Sequence, residues 1–186
     1  MEVLSHSVLW VLRKEELTSH NLILEEKMAM PLVVIDVQED YYDVRNYPKF
    51  VRNVLKHIEK AIENKAPIIV LSYKNQGVNH RDIVRLLENY DNCSFYIKNK
   101  SDGSSFVIRS LKKNHNVVAS ATVRLCGLKT GDCVAATARG LVDKGFKVRV
   151  IEEACSSLSS AHNRQVAIWE RDKKIKVIFK AADYRH

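Results

Sequence analysis

The sequence predicts an α/β protein, a three-layer αβα sandwich built around a mostly parallel sheet. Three observations predict it. Short runs such as LVVI (32–35) and APIIVL (66–71) are apolar throughout, as strands buried on both faces must be. Amphipathic stretches at helical spacing lie between them. From about Pro31 onward the two kinds alternate, which requires crossover connections and places helices on both faces of the sheet.

Each element has its own signature. LVVID (32–36) is the first strand. PKFVRNVLKHIEKAIEN (48–64) sets Phe50, Val54, Leu55, Ile58 and Ile62 on one helical face, with Pro48 suited to a first turn. APIIVLSY (66–73) is the second strand, HRDIVRLLENY (80–90) a short helix or turn, SFYIK (94–98) the third strand, and SFVIRSLKKN (105–114) a helix. The later part of NVVASATVRLCGL (116–128) is the fourth strand. DCVAATARGLVDKG (132–145) is a helix closed by Gly145, a residue suited to the left-handed position after a helix end. FKVRVIEEA (146–154), HNRQVAIWERDKK (162–174) and KIKVIFKA (174–181) read as strand, helix and strand. Residues 1–30 break this rhythm and read as an N-terminal extension, an added hairpin or helix; residues 31–186 form the main domain.

The 186 residues suffice for one sizeable core, and an apolar fraction of 46% with 28% charged residues is ordinary for a globular chain. No apolar run approaches the ~20 residues of a membrane span. The N-terminus lacks the order of a signal peptide: an acid stands at position 2, and the basic residues follow the apolar stretch. A cytoplasmic location is therefore expected. The net charge of +8 invites an anionic partner, but lysines and arginines are scattered without interleaved aromatics, so nucleic acid is not the expected one. The four cysteines, Cys93, Cys126, Cys133 and Cys155, have neither metal-finger nor CxxC spacing and read as free thiols.

In open parallel sheets, sites form beyond the carboxyl ends of the strands. That rule selects Asp36, Tyr73, the residues after Ile97, the turn 127–133 and Glu152. Cys133 falls where GLKTGDCVAATARG (127–140) turns from strand into helix. A thiol at a helix start is expected to have a lowered pKa, and the same N–H groups can hold an oxyanion. The alternative is a small core residue, since free cysteines are often buried. Asp36, a carboxylate at the tip of a buried strand, needs a partner or a use, and a general base for a thiol is one such use. Lys98 and Lys100 both follow the third strand. A cation from either would favour the charged forms of thiol and carboxylate.

Three segments together resemble the isochorismatase-like cysteine hydrolases, the superfamily of nicotinamidases, N-carbamoylsarcosine amidases and isochorismatases. They are LVVIDVQEDYY (32–42), KSDGSSF (100–106) and GLKTGDCVAATARGLVDKGFKVRVIEEACSS (127–157), and the resemblance covers roughly residues 31–181. It implies the fold of that superfamily and a catalytic triad of Asp36, Lys100 and Cys133. Lys100 is chosen by its spacing to Phe106, and Lys98 fits the strand end nearly as well. The resemblance also implies a cis peptide at Leu128–Lys129, which would turn the Lys129 N–H toward the Cys133 N–H as an oxyanion hole. Nicotinamidases carry an Asp-x-His metal motif where this chain reads SYKNQGVNHRD (72–82), with His80 alone, so no metal or other cofactor is expected. Isochorismatases lack the cysteine, so Cys133 points to the thiol-dependent branch. The implied activity is hydrolysis of an amide-type C–N bond in a small molecule through a thioester. Homo-oligomers are common in the superfamily, and one is expected here. Two alternatives stand beside this reading: a hydrolase fold used to bind a macromolecule, and a thiol or redox protein using the same cysteine.

Overall fold

The structure, a computed structural model, describes residues 29–114, 120–157 and 160–178. The expected N-terminal extension lies outside the described residues apart from Ala29 and Met30. In chain order the elements are β1 (Leu32–Ile35), α1 (Tyr42–Asn46), α2 (Pro48–Glu63), β2 (Ile68–Tyr73), α3 (Arg81–Leu87), β3 (Cys93–Lys98), α4 (Ser104–Asn114), β4 (Thr122–Leu128), a π-helical turn (Thr130–Val134), α5 (Ala135–Asp143), β5 (Lys147–Ser156), α6 (Ser160–Glu170) and β6 (Ile175–Ile178). The six strands form one sheet in the order β3-β2-β1-β4-β5-β6, and every pairing in it is parallel.

The continuous apolar runs are explained by the two cores. Side chains alternate across a strand, so Val33, Ile35, Ile69, Leu71 and Leu125 face α4 and α5, joining Val107, Leu111, Val134, Ala138 and Leu141. Leu32, Val34, Ile68 and Val70 face the other side and join Val51, Val54, Ile58, Ala61, Ile83 and Leu87 from α2 and α3. β1 is apolar at every position because both of its faces are covered.

Two local features depart from the sequence reading. The helix expected from residue 132 begins instead with the π turn, and the short helix α1 was not foreseen. The end of α5 behaves as expected. Gly145 has φ +89°, its N–H donates to Val142 O at 3.0 Å, and the Phe146 N–H donates to Leu141 O at 3.1 Å. These are the paired bonds of a helix terminus closed by a left-handed glycine.

The strand order fixes where a site can form. From β1 the chain proceeds outward through β2 to β3, then returns to the far side of β1 as β4. That reversal between β1 and β4 leaves a crevice beyond their carboxyl ends, the usual place for a ligand in such sheets.

Candidate active site

The tips of β1, β3 and β4 bring together Asp36, Lys98 and Cys133. Asp36 directly follows β1, and its φ of +56° puts it in the left-handed region. Aspartate tolerates that region better than most residues, and such strain concentrates at functional sites. Its N–H still donates to Leu71 O at 2.8 Å, so the backbone is held to β2 while the carboxylate turns over the strand ends. Lys98 ends β3, two strands away. Its side chain crosses the end of β2, passing 4.6 Å from the centroid of the Tyr73 ring, and its Nζ donates to Asp36 Oδ2 at 2.8 Å and to Lys100 O at 3.2 Å. Both side chains of the ion pair have no exposed surface. Cys133 stands in the π turn after β4 and is also fully buried.

The lysine reaching Asp36 is therefore Lys98, not Lys100 as the motif spacing suggested. Lys100 is exposed and contributes its backbone carbonyl. The reason lies in the loop after β3. Gly103 lies against the Lys98 stem: a Cβ there would stand 2.4 Å from Leu71 Cδ1 and 3.3 Å from Lys98 Cδ, while its N–H donates to Thr137 Oγ1 at 3.0 Å. The loop folds back over Lys98 and leaves Lys100 outside.

The expected low thiol pKa is also overturned. The Cys133 thiol is pushed up to about 11, first by burial, then by the Asp36 carboxylate and its hydrogen bond, with Lys98 opposing and Asp132 adding. Burial likewise raises the Asp36 carboxyl, against Lys98 and Lys129, which lower it. The resting pair is thus a protonated thiol beside a carboxylate more basic than usual, an arrangement suited to proton transfer between the two.

The expected cis peptide at Leu128–Lys129 is absent, since no cis bond occurs among the described residues. The chain turns instead through Gly127 at φ +133° and Lys129 at φ +59°. Gly127 is the tighter requirement: a Cβ there would come 2.1 Å from Ile35 O. It stands opposite Ile35 at an irregularity of the β4–β5 pairing, next to Asp36.

Other residues frame the site without having been assigned a role. Gln38 is buried. Its side chain accepts from the Tyr73 N–H at 2.6 Å and donates to Tyr73 O at 3.0 Å and Gly77 O at 2.8 Å, tying the end of β2 to the segment after β1. Tyr41 is buried with no partner for its hydroxyl, and burial followed by the charge of Asp36 raises its pKa. Thr130 Oγ1 meets His162 Nδ1 at 2.9 Å, and His162 Nε2 meets Glu152 Oε1 at 3.0 Å, so a three-residue chain anchors the start of the cysteine's turn. Gln38 and Tyr41 were visible in the LVVIDVQEDYY segment, whereas nothing linked His162 to Thr130, 32 positions away. His80 acts as a cap, accepting from the Asp82 N–H at 3.3 Å. Among the described residues no group of three His, Cys, Asp or Glu side chains is placed to hold a metal ion, and no helix is long and apolar enough to cross a membrane.

The sheet is parallel throughout, and a carboxylate, a lysine and a cysteine gather beyond the tips of β1, β3 and β4. The isochorismatase domain model matches residues 31–183, and the chain belongs to the isochorismatase family. It is 28% identical over 142 residues to the secreted isochorismatase effector Isc1 of Phytophthora sojae, across 74% of this chain and 66% of that protein. It is 26% identical over 133 residues to isochorismatase domain-containing protein 2 of Xenopus laevis, across 69% of this chain and 60% of that one. The match thus spans less than two-thirds of either relative's length. The fold is shared with the nicotinamidase SaPncA of Staphylococcus aureus, with a TM-score of 0.67 and 18% identity, covering 81% of this chain and 99% of that one.

Proposed function

We propose that the chain is a thiol-dependent hydrolase of an amide-type C–N bond in a small molecule, with Cys133 as nucleophile, Asp36 as proton carrier and Lys98 as the cation that holds Asp36. The observation carrying this reading is the fully buried Asp36–Lys98 pair, 2.8 Å long, beside a buried thiol. Burying two charges is costly unless geometry compensates or function requires them.

The steps follow from the protonation states. Asp36 accepts the Cys133 proton as sulfur attacks the substrate carbonyl carbon and the C–S bond forms. The carbonyl oxygen becomes an oxyanion, held by the backbone N–H of Cys133 at the start of the helical turn. Asp36 then returns the proton to the leaving nitrogen, the C–N bond breaks, and an amine departs from a thioester. Water next gives a proton to Asp36 and attacks the thioester. The C–S bond breaks, the carboxylic acid leaves, and the proton on Asp36 restores the thiol. Lys98 keeps the carboxylate oriented throughout, its Nζ fixed also by Lys100 O.

The test is a panel of small primary amides and carbamoyl compounds, followed by ammonia release. Wild-type turnover that vanishes in Cys133→Ala supports the reading. Equal turnover in Cys133→Ala overturns it, as does cleavage confined to C–O bonds.

A further inference from the structure

We propose that Lys129, together with Tyr41 and Tyr73, forms a subsite for a carboxylate on the substrate, so that the enzyme acts on anionic amides; this rests on Cys133 being the nucleophile. Lys129 stands at the left-handed bend between β4 and the π turn. Its Nζ lies 5.3 Å from the centroid of the Tyr41 ring and 5.9 Å from that of Tyr73, and no carboxylate is ion-paired with it among the described residues. Lys98 differs: its ammonium is already engaged by Asp36, Lys100 O and the Tyr73 ring.

The second observation is the Tyr41 hydroxyl. Tyr41 is 9% exposed, and its Oη has no hydrogen-bond partner. A buried hydroxyl left unpaired is costly, so its natural partner is a group absent from the free chain. The charges of Asp36, Cys133, Tyr73 and Asp132 all act on it, after burial, to raise its pKa, which keeps it a donor. An ammonium with no ion-pair partner among the described residues thus lies over the ring of the tyrosine whose hydroxyl is unpaired. A carboxylate has oxygens for both. A neutral carbonyl would satisfy Tyr41 and leave the ammonium without a counter-charge.

The lysine locates the anion. Lys129 Nζ stands over the Tyr41 and Tyr73 rings and acts on the Asp36 charge, so the carboxylate belongs with Lys129 beside those two rings. Asp132 is exposed, with its Oδ2 4.0 Å from Cys133 Sγ, and the Lys129 charge is what offsets its repulsion of an anionic substrate.

The experiment uses the full chain and two reagents of nearly equal shape, anionic iodoacetate and neutral iodoacetamide. Each alkylates a thiol, forming a C–S bond as iodide leaves and the thiol proton is lost. The rate ratio of the two at Cys133 is read by peptide mass mapping and divided by the ratio for a free cysteine derivative. Differences in access common to both reagents cancel. The expected normalised ratio is about tenfold in favour of iodoacetate, the scale of one charge-assisted hydrogen bond. It falls toward one in Lys129→Met, survives in Lys129→Arg, and declines as salt rises. A wild-type ratio of one or less overturns the subsite, and so does an undiminished ratio in folded Lys129→Met; both leave the hydrolase reading standing. Should Lys129→Met fail to fold, the wild-type ratio and its salt dependence still decide. Failure of both reagents to modify Cys133, even where the pH ionises the thiol, would overturn the subsite, while the nucleophile assignment stands or falls with turnover in Cys133→Ala.

Discussion

Asp36→Asn keeps the shape of the side chain and removes its charge. In the wild-type chain the Cys133 thiol stands at about 11, raised by burial first and by the Asp36 carboxylate next. A charge within ~4–6 Å moves a neighbouring titration by roughly 1–3 units. Without the carboxylate, burial still raises the thiol, but Lys98 favours the thiolate with nothing to offset it. The Asp36→Asn thiol should therefore titrate roughly 1–3 units lower than the wild-type thiol. Its amide turnover should nevertheless fall about 100- to 10,000-fold, because no group carries the proton to the leaving nitrogen. A more ionised nucleophile in a slower enzyme is an unusual pairing, and it separates a proton carrier from a mere structural acid. The assay is ultraviolet absorbance of the thiolate against pH, with Cys133→Ser subtracting Cys93, Cys126 and Cys155. Asn leaves the Lys98 charge without its partner, which should cost about 3–5 kcal/mol of stability, so the titration is read where melting curves show the variant folded. An unchanged or higher thiol pKa, or full turnover, refutes the coupling.

Three further outcomes are expected. Lys98→Met should lose activity and about 3–5 kcal/mol of stability by leaving the Asp36 charge buried alone, whereas Lys100→Met should shift stability by no more than ~0.5 kcal/mol; denaturant melts and turnover of the pair distinguish the two lysines. Gly127→Ala should destabilise by about 1–3 kcal/mol or more, because its Cβ would lie 2.1 Å from Ile35 O, and activity should fall further as the tip carrying Asp36 shifts; a wild-type melting temperature would contradict the close approach. His57 is buried against Glu153 at 3.0 Å, and its pKa lies below the ordinary 6.5 because burial outweighs Glu153, with Arg124 and Lys56 adding to the lowering. The unfolded chain then binds the proton more readily, so the stability linked to neutral His57 is complete above pH 6.5 and is lost as pH falls below it. Denaturant melts across that range should show an acid loss that His57→Gln flattens, and an equal loss in the variant would remove His57 as the cause.

The strands were legible because burial on both faces leaves few residue choices. LVVI and IIVL cannot alternate with polar residues when helices cover both sides. Asp36 and Cys133 were legible as polar groups at strand tips. The lysine paired with Asp36 stands two positions before the one chosen from motif spacing, and the sequence left both open because Lys98 and Lys100 have the same strand parity. What separates them is the fold-back of the loop at Gly103, a tertiary event with no period in the sequence. The thiol pKa was misjudged in sign for a matter of magnitude. A helix start contributes about 0.3–1 kcal/mol, while burial of a thiol beside two carboxylates outweighs it. The chain Thr130–His162–Glu152 joins the π turn to β5 and α6, and its link from Thr130 to His162, 32 positions away, becomes visible only when those elements are packed.

The central claim is that Cys133 carries the acyl group. Acid-quenched turnover of a reactive amide, followed by peptide mass mapping, measures it directly, with hydroxylamine added in a parallel reaction to intercept a thioester as a hydroxamate. The account predicts an acyl adduct on the Cys133 peptide that hydroxylamine removes, and none in Cys133→Ser. Steady hydrolysis of the amide by Cys133→Ser, or wild-type turnover that yields neither adduct nor hydroxamate, would contradict it.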